Sequence, residues 1–293
     1  MRGLVILFLI LLCGSPATAA DSSVVIKAKY KLYLAGFVLL DLDTQLRLQP
    51  NSYGVKSYYH TKGIARLFSN AENTSLTIGA IDGEGVLMPR LYESKGHWDD
   101  EVYLNRMTYD RDSGLVMRHD QEMSGDDDYE YFPVPDEQKK APDPLSYVVG
   151  LLENSAEALR VSGPESDWTG TEVFGGFFLI NYLHRCPRIE ERGKSSHSVF
   201  SGEAVYCEFR TRLVAGDTLP RDEKKRKEFL EKREKRRAEA KKKKPDPLKI
   251  WFGHVDGVPV MVPVYSEFKM SIGKAHLYLH EISVEEMGVT ATK

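Results

Sequence analysis

The sequence predicts a mainly β protein, a single domain of long antiparallel strands curled into an open or half barrel. One short helix and one charged, partly helical insertion interrupt it. Three observations carry this prediction. Apolar and polar residues alternate with period two through several long stretches, the pattern of strands that bury one face. Turn residues separate those stretches at short intervals, as an antiparallel meander requires. One stretch alone switches to helical spacing, behind an Asp-Pro start.

The elements follow in chain order. In VVIKAKYKLYL, Ile26, Ala28, Tyr30, Leu32 and Leu34 share one face and Lys27, Lys29 and Lys31 the other. Ala35-Gly36 breaks the run, and Val38, Leu40, Leu42, Thr44, Leu46 and Leu48 then alternate with polar residues. The two stretches predict a long hairpin. SYGVKSYYHTKG and SLTIGAI give a third and a fourth strand, the latter closed by DGEG. VLMPRLYESKG and EVYLNRMTYD flank a polar stretch, and LVMRHDQEM resumes after the turn signal DRDSG. The expectation is a meander with one dry face.

Residues 120–137 hold eight acidic residues and no Lys or Arg, which predicts an exposed acidic loop. No glycine-turned calcium loop ending in a ligating Glu is present there. In APDPLSYVVGLLENSAEALR, Asp143 suits the N-cap and Pro144 the first helical position. Leu145, Val148, Val149 and Leu152 fall near one face, so a helix over 143–152 should plug or cover one side of the sheet. Strand character returns in TEVFGGFFLINYLHRC and GEAVYCEFRTRLV, and later in KIWFGHVDGVPVMVPVYSEFKM and IGKAHLYLHEI. Asp256-Gly257 reads as a hairpin turn.

Between those pairs lies a basic block. Residues 221–244 carry fourteen Lys or Arg and six Asp or Glu, in a chain whose formal charge is −3. Phe229 and Leu230 are its large apolar residues, so no apolar stripe exists to embed the block in a bilayer. Glu-to-Lys pairs at i,i+4 and two alanines favour a helix. The block reads as an insertion between two strands, with complementary charge to the acidic segment 120–137.

The N-terminus sets the compartment. Arg2, the apolar run from Leu4 and the small residues ending at Ala19 and Ala20 form a secretory signal peptide over 1–20. Cleavage is expected after Ala19 or Ala20, leaving one β-rich domain over 21–293. No transmembrane segment is predicted, and export removes nucleic acid as the natural partner of the basic block. Anionic lipid head groups, cell-wall polymers and acidic protein surfaces remain. Removing the signal leaves Cys186 and Cys207, which an oxidising compartment would join.

Motifs that carry chemistry are scarce. The sequence has no GxSxG, no HExxH, no glycine-rich phosphate loop and no CxxC. His276 and His280 sit four apart, but on a strand that spacing is about 13 Å, too far to share one zinc. Neighbouring carboxylates such as Asp99 and Asp100 diverge rather than face each other across a cleft. No catalytic residue, metal or cofactor is predicted. The architectural feature is a sheet that curls round an interior. Tyr30, Tyr53, Tyr59, Tyr92, Phe177, Phe178 and Trp251 are the residues expected to fill that interior or to line a cavity in it.

Four stretches together resemble one family: YKLYLAGFVLLDLDTQLRL, DPLSYVVGLL, FSGEAVYCEFRTRLVAGD and IWFGHVDGVPVMVPVYSEFKMSIGKAHLYLHEI. Their order is similar to that in the DUF3108 family of exported bacterial proteins. The charged run after Asp222 departs from that pattern. The resemblance implies a periplasmic envelope protein of a Gram-negative bacterium and carries over no catalytic residue.

The function expected is therefore a non-enzymatic periplasmic protein of the cell envelope, holding an apolar or lipid-like ligand in a curved sheet. The alternative is an interaction protein that docks on another envelope protein, and a hydrolase of wall or lipid ranks third. An open cavity near the Asp143 helix would favour the first.

Overall fold

The computed structural model describes residues 23–124, 128–163, 165–242, 246–270 and 273–287. The expected signal peptide over 1–20 lies outside them. The first meander comprises β1 (Ser23–Leu34), β2 (Phe37–Gln49), β3 (Ser52–Thr61), β4 (Ala71–Ile81), β5 (Leu87–Trp98), β6 (Glu101–Tyr109) and β7 (Val116–Met123). A short β8 (Tyr129–Phe132) precedes helices α1 (Pro144–Glu153) and α2 (Ser155–Ala158). Next come β9 (Thr169–Phe174), β10 (Leu179–Arg192), β11 (Gly202–Ala215) and β12 (Asp217–Pro220). Helix α3 (Glu223–Lys242) leads to β13 (Leu248–Gly253), β14 (Val262–Met270) and β15 (Gly273–Met287).

Thirteen of these strands form one antiparallel sheet in the order β7-β6-β5-β4-β3-β2-β1-β15-β14-β13-β11-β10-β9. The two meanders join where β1 pairs with β15, from Ser23↔Met287 to Leu34↔Ala275. The Ala35-Gly36 turn has positive φ at both residues, 49° and 87°. That conformation closes a two-residue hairpin without splaying the strands.

The sheet curls until its two edges nearly meet. Met107 and Tyr109 of β6 share a buried cluster with Phe174 and Leu179 of β9 and β10. The chain just before α1 runs between the edges and ties them. Val116 N of β7 donates to Lys139 O at 3.1 Å, and Phe174 N of β9 donates to Pro142 O at 2.9 Å. The open barrel is thus seamed by backbone. Helix α1 then turns inside, and Val149, Leu151 and Leu152 join the main core with Tyr30, Tyr53 and Leu279.

Four expectations need correction. The acidic stretch 120–137 is not one exposed loop. β7 extends to Met123, and β8 pairs with β12 from Tyr129↔Pro220 to Phe132↔Asp217. Val134 is buried in the second cluster. Aromatic and β-branched residues within the acidic run supply strand character and a core anchor that its charge obscures. Asp256-Gly257 does not make a two-residue hairpin, because Gly253 pairs with Val262 and the intervening loop buries Val258, Val260 and Met261. The stretch from Thr171 to Cys186 is not one strand but two, folded at Gly175-Gly176. Finally, the inner face of β3 to β6 is not uniformly dry, because Asn73, Thr77, Ser94 and Asn105 are buried on it.

Residues 223–242 of the basic block form the continuous helix α3. Its first turns meet the acidic segment. Asp222 caps it by accepting from Lys225 N at 2.8 Å. Arg226 pairs with Glu130, Arg233 with Asp217 at 2.7 Å and Lys225 with Asp128 at 3.4 Å. These partly exposed pairs set position more than stability.

Candidate functional site

The site is built around the start of α1. Asp143 adopts extended φ and ψ and accepts from Leu145 N at 3.0 Å and Ser146 N at 2.9 Å through Oδ1. Those bonds satisfy two orphan amides of the first turn. Its second oxygen accepts from Ser146 Oγ at 2.5 Å and from Thr77 Oγ1 of β4 at 3.0 Å. Ser146 Oγ also lies 2.8 Å from Tyr53 OH. A fully buried carboxylate therefore fixes the helix to the inner wall. Burial pushes the Asp143 carboxyl above the usual carboxylate range, and its hydrogen bonds from Ser146 and Thr77 oppose that rise.

The inner wall continues this network. Asn73 Nδ2 donates to Ser94 Oγ at 2.9 Å and Tyr103 OH at 2.7 Å, and Ser75 Oγ donates to Asn73 Oδ1 at 2.7 Å. The hydroxyls of Ser75, Thr77 and Ser94 are all paired, Ser75 with Ser94 and Thr77 with Leu91 O across strands, which makes their burial tolerable.

Beyond the C-terminal half of α1 a cleft of about 970 Å³ opens between the β4–β5 turn, the β6–β7 turn and β10. Leu87, Met88, Tyr109, Tyr147, Gly150 and Leu151 contribute its apolar lining. Arg111, Lys140 and Arg160 stand with Asp110, Asp112 and Glu157 around it. The size lies at the upper end for small-molecule sites, and an apolar floor with a polar margin suits an amphipathic guest. His184 also borders it. Its Nε2 lies 2.9 Å from Ala158 O, so that nitrogen carries the proton.

Of the aromatic residues expected inside, Tyr30, Tyr53 and Tyr92 are buried in the interior. Burial pushes Tyr92 up to about 12. Tyr59 is half-buried beside Tyr103. Phe177 and Phe178 sit in the β9–β10 turn, half-buried, with Phe177 against Tyr131 at 5.6 Å. The two glycines before them force the turn and take them out of the strand. Gly176 has φ 94°, and a Cβ there would meet the Asn105 side chain at 2.3 Å.

Trp251 is buried in the main core cluster, packed between Tyr206 and Tyr265. Its neighbour Phe252 packs against Phe209, and the β13–β14 register shifts between Trp251 and Phe252. Trp251 is covered by Arg192 and donates from Nε1 to Glu190 Oε2 at 2.7 Å. The aromatic residues therefore do not assemble into one lining. The cleft's own features, Gly150 and the turns at Asp82 and Asp110, carry no chemical signature that sequence reasoning could single out.

Cys186 of β10 and Cys207 of β11 are disulfide-bonded across neighbouring strands, with Cα atoms 4.0 Å apart. The β10–β11 register shifts between Arg185 and Arg188, which lets the two side chains meet. His276 Nδ1 lies 2.6 Å from Tyr265 OH, and His280 Nε2 lies 3.0 Å from Lys31 Nζ. No described helix is long and apolar enough to cross a membrane.

No family model matches the chain, and no curated protein matches it. Among solved structures, the chain is similar to the beta-barrel-like protein of domain of unknown function DUF1849 from Brucella abortus, at 10% identity. The match covers 89% of this chain and 98% of that one, with a TM-score of 0.47. The DUF3108 resemblance is overturned: no family model matches the chain, and the similar structure is described as DUF1849, not DUF3108. The stretches that suggested it are strand–glycine–strand units and an Asp-Pro helix start. Any long antiparallel meander with a capped helix uses them, so their order is not diagnostic. The class defined by fold and site is a β-barrel-like protein with an open, curved sheet able to accommodate a ligand.

Proposed function

We propose that this protein is a non-enzymatic, exported protein of the cell envelope that holds an apolar or lipid-like ligand in the cleft beside α1. The observation that carries the reading is that cleft, about 970 Å³ with Leu87, Met88, Tyr109 and Leu151 in its lining. Apolar surface buried there would contribute roughly 25 cal/mol per Å² to binding before the cost of immobilising the ligand. The mixed charges around the margin suit a polar head group. The most deeply buried acid nearby, Asp143, is committed to capping α1 and bonding Thr77, a structural duty rather than a catalytic one.

Export is supported by the N-terminal sequence pattern and by the Cys186–Cys207 bond, which belongs in an oxidising compartment. A periplasmic location fits both. At the seam, the Phe174 amide of β9 and the Val116 amide of β7 are already taken by Pro142 and Lys139, so docking on those edge positions would have to displace the segment before α1.

Native mass spectrometry of the mature protein from its own envelope compartment tests the reading, with a denatured and delipidated sample as reference. A specific extra mass that extracts as lipid is the expected result. A bare protein mass, with no mass gained on incubation with mixed phospholipid micelles, would overturn it.

A further inference from the structure

The two ends of the barrel differ in chemistry. Because the first meander is antiparallel, the β1–β2, β3–β4 and β5–β6 connections all lie at one end. The connections β2–β3, β4–β5 and β6–β7 lie at the other, where the turns are built from Pro50, Asn51, Asp82, Glu84, Asp110 and Asp112, with Val86 as their one exposed large apolar residue. At the first end the turns carry large apolar side chains that nothing covers. Leu67 is 81% exposed, Phe68 82%, Phe37 60% and Trp98 54%. Ile64 and Val102 are exposed beside them. A 3-10 turn over Gly63–Leu67 presents three of these side chains, Ile64, Leu67 and the following Phe68.

Topology brings the basic block to the same end. β11 runs toward it, β13 starts from it, and α3 connects them. Lys269, near the start of the β14–β15 connection, bonds Asp246 just ahead of β13 at 3.2 Å. Exposed Phe229 lies on α3, and exposed Tyr129, Tyr131 and Phe132 lie on β8. Every exposed Phe, Tyr and Trp among the described residues thus belongs to this end or to the elements appended to it.

The helix Glu223–Lys242 carries eleven Lys or Arg against five Glu. Its early cations are spent on Asp128, Glu130 and Asp217. Lys232, Lys235 and Arg236 have no hydrogen bond or ion pair among the described residues and remain available. Several carboxylates at this end are engaged by the protein itself, Asp41 by Lys62 and Asp99 by the Asn70 amide. Asp100 and Glu101 stay in solvent beside Trp98.

We propose that this end docks on an anionic lipid surface, with the tips at Phe37, Leu67, Phe68 and Trp98 entering the head-group layer and α3 lying over it. The tips protrude from separate turns rather than lining a groove, so they fit a soft interface better than a shaped protein partner. Tryptophan favours the membrane–water boundary, and phenylalanine and leucine are the side chains that peripheral anchors bury beneath it. Neither signal suffices alone, since α3 has no apolar stripe and the tips are few. Apolar contact and a polybasic segment together make the two-part anchor that peripheral attachment requires. The cleft opens at the opposite end, so this docking is independent of whether the cleft is occupied.

Co-sedimentation of the full mature chain with vesicles tests the proposal, using pure phosphatidylcholine and a phosphatidylglycerol mixture in parallel. Binding is expected to the anionic vesicles, at least tenfold stronger than to neutral ones, and to weaken as salt is raised. The double variant L67S/F68S should lose at least tenfold in binding while melting at the parent temperature, since both side chains are exposed. The triple variant K232Q/K235Q/R236Q should lose a similar factor. Absence of binding by the parent would overturn the proposal, as would binding that either variant leaves unchanged.

Discussion

Asn105 of β6 donates from Nδ2 to the carbonyl of Gly175 at 2.6 Å, across the gap between the two edges of the sheet. It is a side-chain bridge beside the two backbone bonds of the 139–143 segment. Gly175 is followed by Gly176, whose missing Cβ makes room for the Asn105 amide. Replacing Asn105 with Ala removes the bridge and leaves a part-buried carbonyl without this donor, a cost of about 1 kcal/mol. The seam should loosen first. Hydrogen exchange at the Val116 and Phe174 amides is expected to accelerate more than exchange in β1 and β15. Equal acceleration throughout would mean that the seam is not a separate unit.

The same amide defines a pH effect. Because Asn105 Nδ2 faces Gly175, its oxygen faces His119, and His119 Nε2 lies 2.8 Å away as the donor. The ring also meets Phe174 edge-on at 5.8 Å. Burial, and then the Lys139 charge, hold the His119 pKa below the usual histidine value, with Asp120 opposing. Below about pH 6.5 the unfolded chain takes up a proton that the folded ring refuses. Stability from this group is therefore full above that pH and is lost as pH falls toward the depressed folded value. The urea midpoint should drop between pH 7.5 and 5.5, and H119Q, which keeps a donor to Asn105, should flatten the drop. An unchanged slope in the variant would assign the effect elsewhere.

Much of the barrel is legible in the sequence because strands announce themselves by period two. The Ala35-Gly36 hairpin and the Asp143-Pro144 helix start are local signals, and local physics reads them. Long-range relations leave no such trace. Nothing local marks Phe174 N as the partner of Pro142 O, or Thr77 as the partner of Asp143, sixty-six residues away. The polar inner wall is hidden for a related reason. Asn73, Ser75 and Ser94 look like solvent residues until their strands pair and their hydroxyls bond one another. Trp251 reads as a core residue and is one, but its contacts with Arg192 and Glu190 leave no trace in the local pattern.

Asp143 separates capping from charge. D143A removes two cap bonds and both contacts from Oδ2, leaving Thr77 and Ser146 without their acceptor. Loss of the cap costs about 1 kcal/mol and the buried unpaired groups add about 1–3 kcal/mol. D143N keeps an oxygen for the Leu145 and Ser146 amides and places an NH₂ against hydroxyls that can accept. The parent carboxyl, with its folded pKa raised by burial, makes stability fall as pH rises from about 4 through that value. D143N should lack this fall and retain most of the parent's melting temperature at neutral pH, whereas D143A should not. Similar loss in both variants at pH 7 would show that the charge itself is required.

The disulfide should tune stability rather than make the fold. The main core contains both cysteines together with residues from both meanders, so much of it does not depend on the bond. Cys186 and Cys207 are separated by 21 positions, and closing a ring of that size is worth about 3 kcal/mol in the chain-entropy account. C186S is expected to lower the melting temperature while preserving the far-ultraviolet spectrum. Equal melting of parent and variant under oxidising conditions would show that the bond contributes nothing.

Gly150 gives the most direct control over the cleft. It lies in α1, where glycine costs about 0.8–1.0 kcal/mol relative to alanine, and it borders the open space. A Cβ built there meets Leu87 Cδ1 at 3.5 Å, an ordinary contact. The helix can therefore accept a side chain, which then has the cleft to fill. G150L should keep or raise the melting temperature because it gains helix propensity and apolar contact. The same change should remove space from the binding site. In the native mass spectrum the variant is expected to lose any lipid-like adduct that the parent carries, while its vesicle binding through the opposite end stays at the parental level. Retention of the adduct at parental occupancy would place the ligand outside this cleft, and a fall in melting temperature would show that the space beside Gly150 is needed by the fold rather than left for a guest.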